Sequence, residues 1–212
     1  MRLIVIGCEY TGKTTLIDGL DAWGRARGIA FHLDDHFSIP DQYFLSPEEQ
    51  RAMVALPPTI KERFQRFQVY YHVGNVLHEY EDVLLGGFHI EEAIYGPRYY
   101  YPGQAWPAYH RRIETAMPPD TILLLLTAQP EVLRRRMTAA QHAYPLVAPG
   151  EVEAISAAFE AEYRASWLSR RLTIDTSDLA PAALLSTFLD RVTPQLGERD
   201  LLRFQALHGR EG

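Results

Sequence analysis

The chain has almost no cysteine, very little lysine and no long apolar segment. Cys8 is the one cysteine among 212 residues, which excludes an intramolecular disulfide and favours a reducing compartment. No purely apolar run exceeds five residues, as at 122–126, so we expect neither a membrane span nor the apolar core of a signal peptide. These absences predict a cytoplasmic protein that does not bind membranes.

Arginine rather than lysine supplies the positive charge. Lys13 and Lys61 stand beside 19 arginines, and the formal net charge is −6. A net negative charge argues against binding to nucleic acid polymers or anionic lipid surfaces. The 47% hydrophobic and 23% charged content is typical of a globular domain. We therefore expect a single domain over residues 1–212.

One of the two lysines lies in a phosphate-binding motif. Residues 7–14 read Gly-Cys-Glu-Tyr-Thr-Gly-Lys-Thr, the Walker A spacing G-x-x-x-x-G-K-[ST]. The apolar run at 2–6 predicts a buried strand before it. A helix is predicted after it by the spacing of Leu16, Ile17, Leu20 and Trp23. A strand, a glycine loop and a helix in this order direct backbone amides at a polyphosphate.

The motif predicts that ATP and Mg²⁺ are the cofactors. Lys13 would reach the terminal phosphates as a compact charge, and Thr14 would ligate the Mg²⁺ ion. The predicted cofactor-binding residues are Gly7, Glu9, Tyr10, Thr11, Gly12, Lys13, Thr14 and Thr15.

Strand-like and helix-like segments alternate through the rest of the chain, which predicts an α/β fold with a parallel sheet covered on both faces. Ligands of such sheets bind at the carboxyl ends of the strands. Further strands are predicted at 29–33, 83–90, 121–127 and 171–174. Helices are predicted at 47–55, 59–81, 108–116, from Pro130, and at 150–168 and 180–193, with an aromatic loop at 95–107. The 59–81 helix would have one apolar face made of Ile60, Phe64, Phe67, Tyr71, Val76 and Tyr80.

Two other classes of P-loop protein lack their markers in this chain. A guanine-nucleotide switch needs an Asn-Lys-x-Asp base reader, but Lys61 lies in Thr-Ile-Lys-Glu-Arg. Motor-type and AAA-type ATPases usually end an apolar strand in Asp-Glu, whereas the strand at 121–127 ends in Thr127. A compact phosphotransferase is the class that remains.

The chain resembles the thymidylate kinase and deoxynucleoside kinase branch of the P-loop kinases. The matching segments are the Walker A motif with Glu9 two residues after its first glycine, Phe-Gln-Arg-Phe-Gln-Val-Tyr at 64–70, Ala-Ile-Tyr-Gly at 93–96, Pro-Glu-Val-Leu-Arg-Arg-Arg at 130–136 and Leu-Thr-Ile-Asp-Thr at 172–176. The resemblance implies a three-layer P-loop NTPase fold with a five-stranded parallel sheet in the order 2-3-1-4-5. It also implies an ATP-dependent kinase acting on a nucleoside or nucleoside monophosphate.

Particular residues acquire expected roles from the same resemblance. It implies a sugar contact for Glu9, a base contact for Gln65 or Gln68, and a lid segment at about 134–150 that brings Arg136 to the phosphates. The family's Asp-Arg or Glu-Arg pair after strand three is missing, and Asp-Asp-His-Phe at 34–37 instead resembles the Asp-x-Phe of uridine-kinase-like enzymes. A kinase of a non-nucleoside metabolite and a nucleotide-binding switch are therefore alternatives.

Four carboxylates follow the predicted strands two and three: Asp34, Asp35, Glu91 and Glu92. They are candidates for the general base or for an Mg²⁺ partner. The sequence does not distinguish their roles. The predicted catalytic residues are Lys13, Asp34, Asp35, Glu91 and Arg136. The predicted substrate-binding residues are Glu9, Gln65, Gln68, Glu92 and Arg98. The expected partner is a small-molecule acceptor, and a homodimer is a possible assembly.

Overall fold

A computed structural model of the chain describes residues 1–34, 38–42, 45–103 and 109–208. It contains one five-stranded parallel sheet in the order β2-β3-β1-β4-β5. The strands are β1 (Arg2–Ile6), β2 (His32–Asp34), β3 (Val83–Gly86), β4 (Ile122–Thr127) and β5 (Arg170–Asp175). The predicted α/β fold and strand order are confirmed.

Helices cover both faces of this sheet. The α-helices are α1 (Lys13–Arg25), α2 (Pro47–Val54), α3 (Pro58–Tyr71), α4 (Leu77–Glu79), α5 (Phe88–Tyr95), α6 (Tyr109–Glu114), α7 (Pro130–Ala139), α8 (Val152–Ala165), α9 (Pro181–Val192) and α10 (Glu198–His208). Two π-helical segments, π1 (His72–Val76) and π2 (Gly96–Tyr100), continue α3 and α5, and a 3-10 turn spans Thr193–Gln195. No helix within the described ranges has both the length and the apolar composition needed to cross a membrane.

The alternation of side chains along β1 separates two apolar cores. Ile4 and Ile6 belong to the core on the side of α5 and α8, whereas Leu3 and Val5 belong to the core on the side of α1 and α9. All four side chains are buried. A parallel strand covered on both faces needs apolar residues at every position, which is why the strands read as continuous apolar runs.

The third strand is shorter than its sequence pattern predicts. A strand was expected over 83–90, but β3 ends at Gly86 and α5 begins at Phe88. Gly87 and Phe88 have positive φ angles of 72° and 49°, which turn the chain out of the extended conformation. Glu91 and Glu92 therefore lie on a helix rather than in a loop after the strand. The second strand is also displaced, from 29–33 to β2.

The apolar face predicted for the 59–81 helix is wrong. Val76 is buried, but the rest of that row is exposed, and Phe67 is 67% exposed. The buried side of α3 and π1 instead carries Glu62, Gln65 and His72 together with apolar residues. Arg66 pairs with Glu62, and Asp34 pairs with His72. These partners satisfy polar groups that would otherwise be costly to bury.

Two further segments differ from the sequence-based expectations. Residues 95–107 were expected to form a loop, but π2 continues α5 to Tyr100 and the amide of Tyr101 donates to the carbonyl of Gly96. Residues 104–108, including Trp106, lie outside the described residues. Helix α10 was not predicted.

A buried polar cluster connects the end of α6 to α5 and to the residues that follow α8. The Glu114 carboxylate accepts hydrogen bonds from His89 Nε2 at 2.9 Å, Ser166 Oγ at 2.9 Å and the Trp167 amide at 2.6 Å. Burial lowers the pKa of His89. Burial alone would raise the pKa of Glu114, but its hydrogen bonds outweigh that effect and the pKa is lowered. The cluster is therefore a neutral imidazole held by a charged carboxylate at neutral pH.

Candidate active site

The phosphate-binding loop connects β1 to α1 in a tight, self-bonded turn. The Thr11 hydroxyl donates to the carbonyl of Cys8 at 2.8 Å, and the Cys8 side chain is buried beneath the loop. A side chain at Gly7 would collide with the carbonyl oxygen of Leu126, so only glycine allows β1 and β4 to approach each other here. The amides at the start of α1 form the positive end of the helix.

Lys13 joins this loop to α5. Its ammonium group donates to the carbonyl of Gly7 at 2.8 Å and lies 3.2 Å from the Glu91 carboxylate. Burial raises the pKa of Glu91, and the charge of Lys13 only partly opposes this effect. A Cβ at Gly87 would lie 2.5 Å from the Glu91 carboxyl group, so glycine at this position makes room for that carboxylate to reach the loop.

A cavity of about 780 Å³ opens over the phosphate-binding loop. Glu91, Tyr95 and Tyr100 line part of it, and Arg136 with residues 139, 140, 142–144 and 146 lines another part. Its volume is in the range of ligand sites that hold drug-sized molecules. The cavity therefore has room for a nucleotide and for at least part of a second small molecule.

Glu9 connects residues 142–147, which belong to the segment predicted to be a lid (134–150, the lid segment), to the phosphate-binding loop. Its Oε2 atom accepts from the backbone amides of Leu146 at 3.0 Å and Val147 at 2.8 Å. The ring of His142 stacks on Tyr10 with centroids 4.0 Å apart, and the His142 amide donates to the Tyr10 hydroxyl at 3.0 Å. Burial alone would raise the pKa of Glu9, but the hydrogen bonds outweigh it and the pKa is lowered. The carboxylate expected to touch a sugar is thus engaged with the lid backbone.

Arg136 ties the loop to the segment that follows β5. Its guanidinium donates to the carbonyl of Tyr10 at 2.9 Å and to the hydroxyl and carbonyl of Thr176 at 3.1 and 2.6 Å. The Thr176 hydroxyl in turn donates to the carbonyl of Thr11 at 2.9 Å. Arg136 lines the cavity at its phosphate-binding end while it holds the loop in place.

Several predicted site residues lie away from the cavity lining. Asp34 is buried and pairs with His72, and Gln65 is buried on α3, whereas Gln68 is only partly exposed. Asp35 lies outside the described residues. The cavity is lined by Glu9, Lys13, Glu91 and Arg136, together with the phosphate-binding loop from Glu9 to Thr15.

The remaining two predicted substrate contacts also lie off the cavity. Glu92 accepts a short hydrogen bond from the Tyr101 hydroxyl, and burial raises the pKa of Glu92 to about 7. Arg98 is exposed and donates to the carbonyl of Ile94 in its own helix at 2.8 Å.

Other residues that line the cavity were not among the predicted site residues, although the sequence of Tyr100 and its aromatic neighbours is compatible with stacking on a base. Tyr95 and Tyr100 face it from α5 and π2, and the Tyr95 hydroxyl accepts from the amide of Glu9 at 3.1 Å. Tyr95 lies in the Ala-Ile-Tyr-Gly segment, so a signal for it was present. His142 carries no local signal, because its contacts are with Glu9 and Tyr10, more than 130 positions earlier in the chain.

Comparison with known proteins identifies the fold. A scan against protein-family models finds no match, and a search of curated proteins finds none either. The YorR protein of Bacillus subtilis, solved with phosphorylated GDP, has a TM-score of 0.62 and 13% identity, and the match covers 93% of this chain and 100% of YorR. Deoxyadenosine kinase from M. mycoides, with dCMP and dCDP bound, has a TM-score of 0.59 and 11% identity, and the match covers 92% of this chain and 100% of that kinase. Shikimate kinase from Acinetobacter baumannii, with shikimate bound, has a TM-score of 0.53 and 18% identity, and the match covers 90% of this chain and 92% of that kinase. The chain therefore has the fold of P-loop kinases.

Proposed function

We propose that this protein transfers a phosphoryl group from ATP, with Mg²⁺, to a hydroxyl group of a nucleoside. The observation that carries the proposal is the contact between Lys13 and Glu91 at the junction of the phosphate-binding loop and the cavity. A cation for the phosphates and a carboxylate for the attacking hydroxyl are the two charged groups that this reaction needs.

The donor side follows from the loop. The amides of the loop and of the start of α1 bind the phosphates, and Lys13 turns from the Gly7 carbonyl towards the terminal phosphate oxygens. The Thr14 hydroxyl and the phosphate oxygens form a set of hard oxygen donors that suits Mg²⁺. The ion neutralises charge on the transferring group when bound. Arg136 holds the loop in position through its hydrogen bonds to the carbonyls of Tyr10 and Thr176.

Glu91 is assigned as the general base for the acceptor hydroxyl. When Lys13 moves to the phosphates, the carboxylate loses its nearest positive charge, and burial then raises its pKa further. A carboxylate with a raised pKa is a better proton acceptor near neutral pH. The sequence did not distinguish the roles of four carboxylates, and Glu91 is the one proposed here as the base. Asp34 instead pairs with His72, and Glu92 pairs with Tyr101.

The distribution of charge along the cavity favours an uncharged acceptor. The described residues of the lining include two side chains with a permanent positive charge, Lys13 and Arg136, and both contact the phosphate-binding loop. Glu91, Tyr95 and Tyr100 also line the cavity, and none of them carries a positive charge. A monophosphate placed beside Glu91 would be repelled in a poorly hydrated cleft. Two of the similar structures hold nucleotides, which supports a nucleoside acceptor, whereas the shikimate kinase supports the non-nucleoside alternative.

An acceptor screen tests the proposal directly. Purified protein is given ATP and Mg²⁺ with each nucleoside, its 5′-monophosphate and a set of hydroxylated metabolites that includes shikimate, and ADP release is measured. The expected result is turnover with at least one nucleoside, lost in Lys13→Ala and retained in Lys61→Ala, the matched substitution of the other lysine. Turnover with monophosphates alone would contradict the uncharged acceptor, and turnover with another metabolite alone would select the non-nucleoside alternative.

Two outcomes concern the other expectations. Tight ATP binding without transfer to any acceptor would favour the nucleotide-binding switch over the kinase. The homodimer stays a prediction, and the exposed apolar row on α3 is a surface available to it. Sedimentation velocity of the purified chain measures the assembly independently of activity.

A further inference from the structure

Three metal-ligating side chains converge at the end of β2, outside the cavity. His32 and Asp34 are two residues apart on the strand and therefore project to the same side, and His72 begins π1 beside them. One ligand atom from each of the three side chains lies within 4.8 Å of the other two. Asp34 and His72 are 4% and 3% exposed, so they are not the solvated acidic groups that are common on surfaces.

The hydrogen bonding of His72 requires a cation between its ring and Asp34. Its Nδ1 atom lies 2.8 Å from the carbonyl oxygen of Gln68, and because a carbonyl only accepts, Nδ1 must donate. The other ring nitrogen, Nε2, lies 2.5 Å from Asp34 Oδ2. In a neutral imidazole Nε2 then carries a lone pair, which would face a carboxylate lone pair. At 2.5 Å only a proton fits between these two atoms, and a metal ion would replace it once they move apart.

A shared proton would join only Asp34 and His72. His32 brings another imidazole nitrogen within 4.8 Å of the ligand atoms of that pair. A metal ion uses all three groups. Histidines that bind metals usually donate their other ring nitrogen to a carbonyl or carboxylate group, which orients the ring. The bond from His72 Nδ1 to the Gln68 carbonyl would orient the ring in this way and direct Nε2 at the ion.

We propose that His32, Asp34 and His72 form a binding site for a divalent transition-metal ion, with Zn²⁺ as the favoured ion. Two imidazoles and one carboxylate leave a fourth tetrahedral position open, and this donor set suits Zn²⁺ better than Mg²⁺. Ligand atoms around Zn²⁺ are about 3.3 Å apart when each bond is about 2.0 Å. The ligand atoms are now between 2.5 Å and 4.8 Å apart. Side-chain rotations that move them by roughly an ångström would bring these distances to about 3.3 Å.

The location indicates what the ion does. The site joins β2, at the edge of the sheet, to the junction of α3 and π1, which lies beside Phe88 at the start of α5. A metal ion would therefore stabilise the packing of these elements, which lie next to the cavity, and it would not contact the phosphates. π-helical turns often occur at functional sites, and π1 begins at the proposed ligand His72. The proposal does not depend on the phosphotransfer reaction.

Cobalt binding provides a test that is independent of activity. The full chain is stripped with a chelator, and Co²⁺ is titrated while the visible d–d absorption of four-coordinate Co²⁺ is recorded. We expect one ion per chain, displacement by Zn²⁺, and a dissociation constant of about 1 µM or lower for Zn²⁺. His32→Ala should lower the affinity by at least about 100-fold while leaving the pair of Asp34 and His72 intact, which keeps the fold in place.

His78→Ala is the matched control, since His78 is exposed and bonds only to the carbonyl of Ala116 among the contacts described. It should bind Co²⁺ and Zn²⁺ as the unchanged chain does. Failure of the unchanged chain to bind either ion at micromolar concentration would overturn the proposal and leave a shared proton between Asp34 and His72. Binding that is unaffected in both His32→Ala and His72→Ala would overturn it as well.

Discussion

Replacing Glu9 with alanine should release the lid segment from the phosphate-binding loop. The carboxylate accepts from two consecutive backbone amides, those of Leu146 and Val147, and it is 11% exposed. A hydrogen bond to a charged group contributes about 1.5–3 kcal/mol. Partial exposure favours the lower end, so the two bonds together stabilise the contact between this segment and the loop by about 3 kcal/mol.

That free energy sets the expected change in amide exchange. About 3 kcal/mol corresponds to a factor of roughly 100 in the closed-to-open equilibrium. Hydrogen exchange of the Leu146 and Val147 amides should therefore be about 100-fold faster in Glu9→Ala. Glu131→Ala is the control, because Glu131 is 77% exposed and, among the described residues, its ionic contact is a 3.8 Å pair with Arg134. Unchanged exchange at both amides in a folded Glu9→Ala chain would refute the reasoning.

The same contact predicts a pH dependence. The pKa of Glu9 is lower in the folded chain than its ordinary value of 4.5. A lowered carboxyl pKa means that the stabilisation is complete above the unfolded value and is lost as the pH falls through the folded value. The lid amides should thus stay protected near neutral pH and lose protection only below about pH 4.5. Glu9→Gln should remove that dependence, since an amide side chain does not titrate.

Other predictions concern the chemistry and the fold. Lys13→Ala should lower phosphoryl transfer by at least about 100-fold in a steady-state assay, with the melting temperature little changed. Glu91→Gln should lower kcat by about 10²–10⁴-fold with little effect on the KM for ATP, and an equal kcat would remove Glu91 as the base. ATP with Mg²⁺ should increase amide protection across 134–150 relative to the free chain, as expected of a lid. Glu114→Ala should destabilise the fold by about 3–5 kcal/mol because it leaves two buried donors and the partly buried Trp167 amide unpaired, which thermal denaturation would detect as a fall of about 10 °C.

Local signals account for the parts of the fold that were predicted correctly. The phosphate-binding loop is a contiguous motif, and strands such as β4 are apolar at nearly every position because both faces are buried. The end of β3 was missed because Phe88, His89 and Ile90 continue its apolar pattern. The turn that separates them from the strand depends on a positive φ at Gly87, which composition does not reveal.

The candidate site was less predictable because its contacts join distant parts of the chain. Glu9 was assigned to a sugar by resemblance, yet its partners lie 137 and 138 positions later. Similarly, the buried side of α3 contains charged and polar residues, and only their partners make that burial favourable. A helical pattern read alone places such residues in solvent, and it places the exposed aromatic row of α3 in the core.

The buried cysteine of the phosphate-binding loop has a consequence for the chemistry of the whole chain. Burial raises the pKa of Cys8 to about 11, so only roughly one molecule in ten thousand carries the thiolate at pH 7. Peroxides and alkylating reagents attack the thiolate, and the loop is therefore protected from both. With no other thiol in the sequence, a cysteine introduced on the lid segment would be the single reactive group, and a fluorophore attached there would report lid opening without background labelling.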